Sequence, residues 1–205
     1  GKSGEICDKC NETSAAVCVS GGKLIIESGN YTISGDYSTA VKQIGGSLEI
    51  KGGSFYTGLG ETCYAIKLEG GTEFKLSGTP ELTAHHNNEQ RCLVIGADYK
   101  GTVSLSGGTF GYIDLKNNMT LKDILAVGYG FKKNENTWVS DGKSIAGATV
   151  KQLPIQSLSY DDSISINYGE KAILTVMPEK AKDAGEVTYQ WYTGTSSIAK
   201  ANSNT

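Results

Sequence analysis

The sequence predicts an all-β chain, built mainly as a parallel β-helix (solenoid), closed by a C-terminal cap and followed by a partial Ig-like β-sandwich. Three observations carry this. A glycine-bracketed strand returns four times within residues 21–110. The stretch 118–150 then breaks the repeat with a helix-forming signal. From residue 153 onward, an alternating strand leads to one with a Trp at its centre.

The four phrases are "GGKLIIESGNY" (21–31), "GGSLEIKGGSF" (45–55), "GGTEFKLSGTPEL" (70–82) and "GTVSLSGGTF" (101–110). Leu24, Leu48, Phe74 and Val103 align as one column, and Ile26, Ile50, Leu76 and Leu105 as the next. Both columns step by 24, 26 and 29 residues (24→48→74→103; 26→50→76→105). Five residues on come Tyr31, Phe55 and Phe110, with Glu81 and Leu82 in the third repeat. Upstream of each phrase lies another strand: "AAVCV", "TAVKQ", "YAIKL" and "RCLVI", with Val17, Val41, Ile66 and Leu93 aligned. Three short strands per repeat, at periods in this range, signal a solenoid. Alternation turns one side of each strand inward. Ile25, Glu49, Lys75 and Ser104 fall between the inward columns and read as an outer face. Leucine-rich repeats share the period but need a Leu/Asn ladder that is missing here. The glycine pairs read as corners of a coil, where glycine tolerates sharp turns best. They are not phosphate cradles, since no helix and no acidic partner follow. Residues 1–117 are thus expected to form about four coils.

The cap is expected over 118–150. Thr120 can N-cap, and Asp123 three residues on suggests a capping box. Leu121, Ile124 and Leu125 share a helical face, and Gly128 suits a stop. A short helix here would protect the open end of the solenoid. "TWVSDGKSI" (137–145) reads as a hairpin turning at Asp141–Gly142. In 153–205, "KAILTVMP" (171–178) alternates and "EVTYQWY" (186–192) carries Trp191, the order of two adjacent strands in an Ig-like sandwich. Such a sandwich needs about 80–100 residues, more than 153–205 supplies, so it is expected to be truncated. The chain opens at "GKSGEICDKC" and stops at "AKANSNT" in mid-pattern, and reads as a segment of something longer.

Composition narrows the function. The formal net charge is −3 with no basic stripe, which argues against a nucleic-acid partner. Arg91 is the single arginine, so dedicated anion recognition is not expected. No apolar run is long enough to insert in a membrane. Five cysteines, an odd number, leave at least one without a partner in the chain. Cys7 and Cys10 have the spacing of half a zinc knuckle, with Cys18 a possible third ligand; disulfides or small apolar packing are the alternatives. Cys63 and Cys92 fall in adjacent coils, three residues before Ile66 and one before Leu93. That offset is near the limit for a bridge, and a disulfide between them is expected.

"SGGTFGYIDLKNNMTLKDILAVGYGFKKNENTWV", followed by "VTYQWY", resembles repeats in large surface proteins of Gram-positive, often gut, bacteria. In these adhesin-like proteins, right-handed β-helix modules are strung together with bacterial Ig-like domains. The resemblance covers most of residues 20–192 and is architectural. It implies a right-handed solenoid in an extracellular protein, wall-attached or secreted, that works as an adhesin or glycan-binding module. The implied partners are a host glycan or a host surface protein, together with flanking modules of the same parent chain.

Right-handed β-helices also host polysaccharide lyases and glycosidases. Lyases of this shape pair a carboxylate-bound Ca²⁺ with an Arg or Lys base. Arg91 has only Glu89 and Asp98 near it in sequence. Inverting glycosidases need two carboxylates about 6.5–9.5 Å apart, and the adjacent pair Asp161–Asp162 sits in a linker. His85 and His86 are consecutive in one long turn, "TAHHNNEQR" (83–91). No catalytic residue, cofactor or metal site is therefore expected. The same turn offers His85, His86, Asn87, Asn88 and Glu89 as ligand contacts, because solenoids place binding residues on projecting turns. Tyr56, Tyr64, Tyr99 and Tyr112 lie near turns and could stack on sugar rings or shield corners. Two function classes follow: a non-catalytic adhesin or stalk segment, and a carbohydrate-binding module or lyase-like enzyme.

Overall fold

The computed structural model describes residues 14–58, 60, 62–85, 91–135, 137–160, 176–180, 192–193 and 196–197. The chain divides into two compact units, Gly1–Gln152 and Leu153–Thr205. The first is a parallel β-solenoid of about three turns.

Four rungs stack. The first is β1 (Ala15–Ile26) and β2 (Asn30–Ile33); the second is β3 (Thr39–Ile50) and β4 (Ser54–Thr57). The third is β5 (Tyr64–Gly70), β6 (Glu73–Leu76) and β7 (Glu81–Ala84). The fourth is β8 (Leu93–Ile95), β9 (Thr102–Leu105) and β10 (Thr109–Asp114). Each rung contributes to three faces. On the first face Val17, Val41, Ile66, Leu93 and Ile113 are successive parallel partners. On the second they are Leu24, Leu48, Phe74 and Val103. On the third they are Tyr31, Phe55, Leu82 and Phe110. The alternation in the sequence is what sends these columns inward. A one-residue slip would expose all of them.

The interior is an apolar column. Phe55, Phe74, Leu48, Ile66, Leu82 and Leu105 are at most 1% exposed. Tyr31 and Phe55 stack with ring centroids 4.9 Å apart, and Phe110 meets Phe131 edge-on at 5.8 Å. Among the described residues, polar side chains also sit inside: Thr39 and Thr57 are buried, and so is Gln43, which pairs with Val19 and Leu68. Its Nε2 donates to the carbonyls of Gly46 and Glu73, each at 3.0 Å, tying the corner of one rung to the next.

The far end of the solenoid is covered. Helix α1 (Leu121–Ile124) is a single turn that buries Leu121 and Ile124. The Asp123 carboxylate accepts from the Thr120 backbone N–H (2.7 Å) and from Thr120 Oγ1 (2.8 Å). Those bonds hold the Asp123 carboxyl below its ordinary range. The helix stops before Gly128, because Leu125 turns extended and bridges Leu105, and Ala126 N–H donates to Leu105 O at 2.9 Å. Strands β11 (Tyr129–Lys132), β12 (Trp138–Val139) and β13 (Ser144–Gln152) follow. β13 runs antiparallel along β10, ending the parallel stack and covering its edge. β11 pairs with β13, and β12 pairs with β11.

This corrects the hairpin expected over 137–145. Trp138 and Val139 pair with Lys132 and Phe131, not with the strand after Asp141–Gly142. β10 and β11 take both edges of β13, so β12 is left with the outer edge of β11.

In the second unit, β14 (Ile155–Tyr160) pairs antiparallel with β15 (Val176–Lys180), and β16 (Tyr192–Thr193) with β17 (Ser196–Ser197). Most of the expected strand at 171–178, and Trp191, lie outside the described residues.

Candidate functional site

The three outer surfaces of the solenoid differ in chemistry. On the first face Lys42, only 6% exposed, sits 2.7 Å from Glu69, which also meets Lys67 at 2.5 Å. A cation so buried requires a partner, and Glu69 supplies it. Burial alone would push the Glu69 carboxyl up. Hydrogen bonds and charge from Lys42 and Lys67 outweigh that and hold it below its ordinary value of 4.5. Its ionised form therefore favours the folded state, fully above pH 4.5, and this contribution disappears as pH falls through the lowered value. Glu69→Gln is expected to lower thermal stability at pH 7 and to flatten its acid-side decline, read by melting curves between neutral and acidic pH.

The second face is also charged and internally paired. Lys23 meets Glu49 at 3.4 Å and Lys75 meets Glu73 at 2.7 Å, while Lys51 and Glu27 pair at the adjoining corner (2.9 Å). Such exposed pairs are screened by solvent and add little to stability, but they cover this face with fixed charge.

The third face is different. Its outward residues run Asn30, Ser54, Glu81, Thr109, Thr149, Lys132 and Trp138 in one line, each the pairing partner of the last. A second line holds Thr32, Tyr56 and Thr83. Residues directly opposite one another share a side of the sheet. The Thr109 and Thr149 hydroxyls are 3.1 Å apart and hydrogen-bonded, which fixes that sharing across the parallel-to-antiparallel junction. Glu81 and Lys132 are the two charges in these lines. Lys132 Nζ lies 5.7 Å from the Trp138 ring centroid. At the other end the Tyr56 and His85 rings meet at 5.4 Å and 49°.

Of the residues singled out in the sequence, Tyr56 and His85 are brought together on this face. His86, Asn87, Asn88 and Glu89 lie outside the described residues. Tyr64 is 8% exposed, with Arg91 and Lys67 over its ring at 5.5 and 5.8 Å, and Arg91 Nη2 donates to its hydroxyl at 3.4 Å. Tyr99 is equally buried, its hydroxyl 3.4 Å from the Thr102 carbonyl; burial and the nearby Glu73 charge push it up to about 12. Both tyrosines shield corners and present no open ring to a sugar. Trp138 was missed as a surface residue, because its place on the third face comes from pairing with β11 across a turn. Among the described residues no group of three or more His, Cys, Asp or Glu could hold a metal ion.

The cysteines also differ from expectation. Cys63 and Cys92 are both free and buried, so the bond expected between them is absent. Their thiols point to opposite neighbours. Ser38 Oγ donates to Cys63 Sγ (3.4 Å), which approaches Gly35 O (3.3 Å) on the preceding rung. Cys92 Sγ donates to Tyr112 O (3.0 Å) on β10, the strand beside β8 on the side away from β5. Burial pushes the Cys92 thiol up to about 11. It is expected to resist alkylation at pH 8 in the native protein and to react on unfolding, measured by mass spectrometry. Native modification at the rate of a free thiol would contradict this burial. Cys18 is disulfide-bonded, which removes it as a thiolate ligand for zinc.

No protein family, curated protein or solved structure matches the chain.

Proposed function

We propose that the chain is a non-catalytic extracellular module, an adhesive or stalk segment of a larger bacterial cell-surface protein. The observation that carries this is the disulfide at Cys18, placed in the first rung of a solenoid. Disulfides persist in oxidising compartments and are rare in the cytosol. The architecture supports the same reading. Stability in a solenoid is a sum over neighbouring rungs, so a rod can be extended while each rung still contacts only its neighbours. Such a rod presents a long flank at a distance from its anchor. The coil is read as right-handed, the hand that parallel strand crossovers overwhelmingly adopt. The unit from residue 153 is read as a partial Ig-like domain. A Gram-positive, wall-attached or secreted parent protein is the setting that fits both units.

The test is labelling of intact source cells and their culture medium with an antibody raised against residues 14–152. Signal on unbroken cells or in the medium is expected. Signal that emerges only after lysis would contradict the reading.

A further inference from the structure

We propose that the outer side of the third face, from Tyr56 and His85 to Trp138, binds a neutral polysaccharide chain; this rests on the reading of the module as non-catalytic and extracellular. Three independent features point to that ligand. The first is charge. The first and second faces carry lysines and glutamates locked in pairs, whereas the lines between Tyr56 and Trp138 hold one acid and one base, Glu81 and Lys132. The lines themselves carry no net charge, with exposed Lys151 at their margin on β13, so they offer little to an acidic polymer and impose little desolvation of counter-charges on a neutral one.

The second feature is the pairing of aromatic and hydroxyl groups. Tyr56 is half-buried with its ring tilted against exposed His85, and Trp138 is half-buried at the other end. Aromatic rings supply large apolar contact with a polar edge, the surface on which the C–H side of a pyranose stacks. Between them stand Thr83, Thr109 and Thr149, each at least partly exposed. Their hydroxyls both donate and accept, matching the hydroxyls of a sugar.

The third feature is spacing. The line runs across the strands, along the solenoid axis. Neighbouring strands lie about 4.7–4.9 Å apart, close to the length of one sugar residue in an extended chain. Five strand steps separate the Ser54–Tyr56 strand from Trp138, through β7, β10, β13, β11 and β12, giving a strip about 24 Å long at that spacing. The strip thus accommodates several sugar residues, with an aromatic at each end. Sequence alone could not show it, since β13 and β12 join the face by antiparallel return.

The test is affinity electrophoresis of the full chain in gels holding soluble neutral polysaccharides (glucans, mannans, galactans and xylans). Parallel gels hold acidic pectate or hyaluronan. Retardation by at least one neutral polymer is expected. Tyr56→Ala and Trp138→Ala should each raise the dissociation constant at least tenfold. Thr109→Arg, at an exposed position, should block the strip in a folded protein. Lys75→Ala, on the second face, should bind as the parent does. Circular dichroism confirms the fold of each variant. Lack of retardation by every neutral polymer, or retardation untouched by Tyr56→Ala, Trp138→Ala and Thr109→Arg, overturns the inference and leaves the surface-module reading standing. So does binding restricted to acidic polymers, or capture by a glycoprotein that survives its complete deglycosylation. Shortening of the polysaccharide during the run overturns the non-catalytic reading itself.

Discussion

Phe74→Ala is expected to cost about 4 kcal/mol, within the range for emptying a buried phenylalanine site. Phe74 is fully buried in the second-face column, with Leu48 paired on one side and Val103 on the other. Rungs above and below fix both neighbours, so the cavity cannot close by collapse. A loss of this size lowers the midpoint of a unit of this length by about 12 °C. Thermal and urea unfolding of the variant beside the parent measures it. A loss under about 1 kcal/mol would mean that this column is not packed as described.

Gly46→Ala is expected to be nearly as damaging, for a backbone reason. Gly46 turns the corner between the first and second faces with φ +65°, and a Cβ there would lie 2.3 Å from the Gly22 carbonyl oxygen of the preceding rung. Both contacting groups are main chain, so neither side chain rotation nor solvent relieves the clash. The expected cost is about 3 kcal/mol, combining left-handed strain with a forced separation of rungs. Gly142→Ala is the control. Its φ is +92°, with nothing within 4 Å of the added carbon, so only the conformational cost of about 1–2 kcal/mol remains. The difference between the two variants, from denaturant melts, reports how closely the rungs approach at the corner.

The solenoid columns were legible because their rule is local. An apolar residue every second position, returning after 24 to 29 residues with a glycine corner between, specifies both the face and the neighbour. Leu24, Leu48, Phe74 and Val103 could be aligned without coordinates, and they are partners in the structure. What failed depends on pairings the repeat does not encode. The Asp141–Gly142 turn signal is real, and Asp141 Oδ1 accepts from the Gly142 N–H at 2.7 Å. It joins β12 to β13 without pairing them, because β10 and β11 hold both edges of β13. Cys63 and Cys92 looked bridgeable by offset, but offset says nothing about which neighbour a thiol faces. Gln43 occupies an inward position that the alternation reserves for an apolar residue, and only the Gly46 and Glu73 carbonyls explain it.

The candidate surface was legible in part. His85 stands out as an imidazole in the projecting turn 83–91 and Tyr56, separately, as a ring near a turn; the structure brings their rings together. Tyr64 and Tyr99 stood out for the same reason and are buried. Nearness to a turn does not distinguish an outward ring from one folded over a corner. Trp138 carried no signal as a third-face residue, since its position depends on Lys132 and Thr149 lying between it and the solenoid.

The most direct measurement of the central claim is the length of a polysaccharide before and after prolonged incubation with the folded full chain, with Ca²⁺ and with chelator. Size-exclusion chromatography with mass spectrometry of the low-mass fraction provides the readout. The account predicts an unchanged length distribution under both conditions. Oligosaccharides accumulating with time, in either condition, would contradict it and make the solenoid an enzyme.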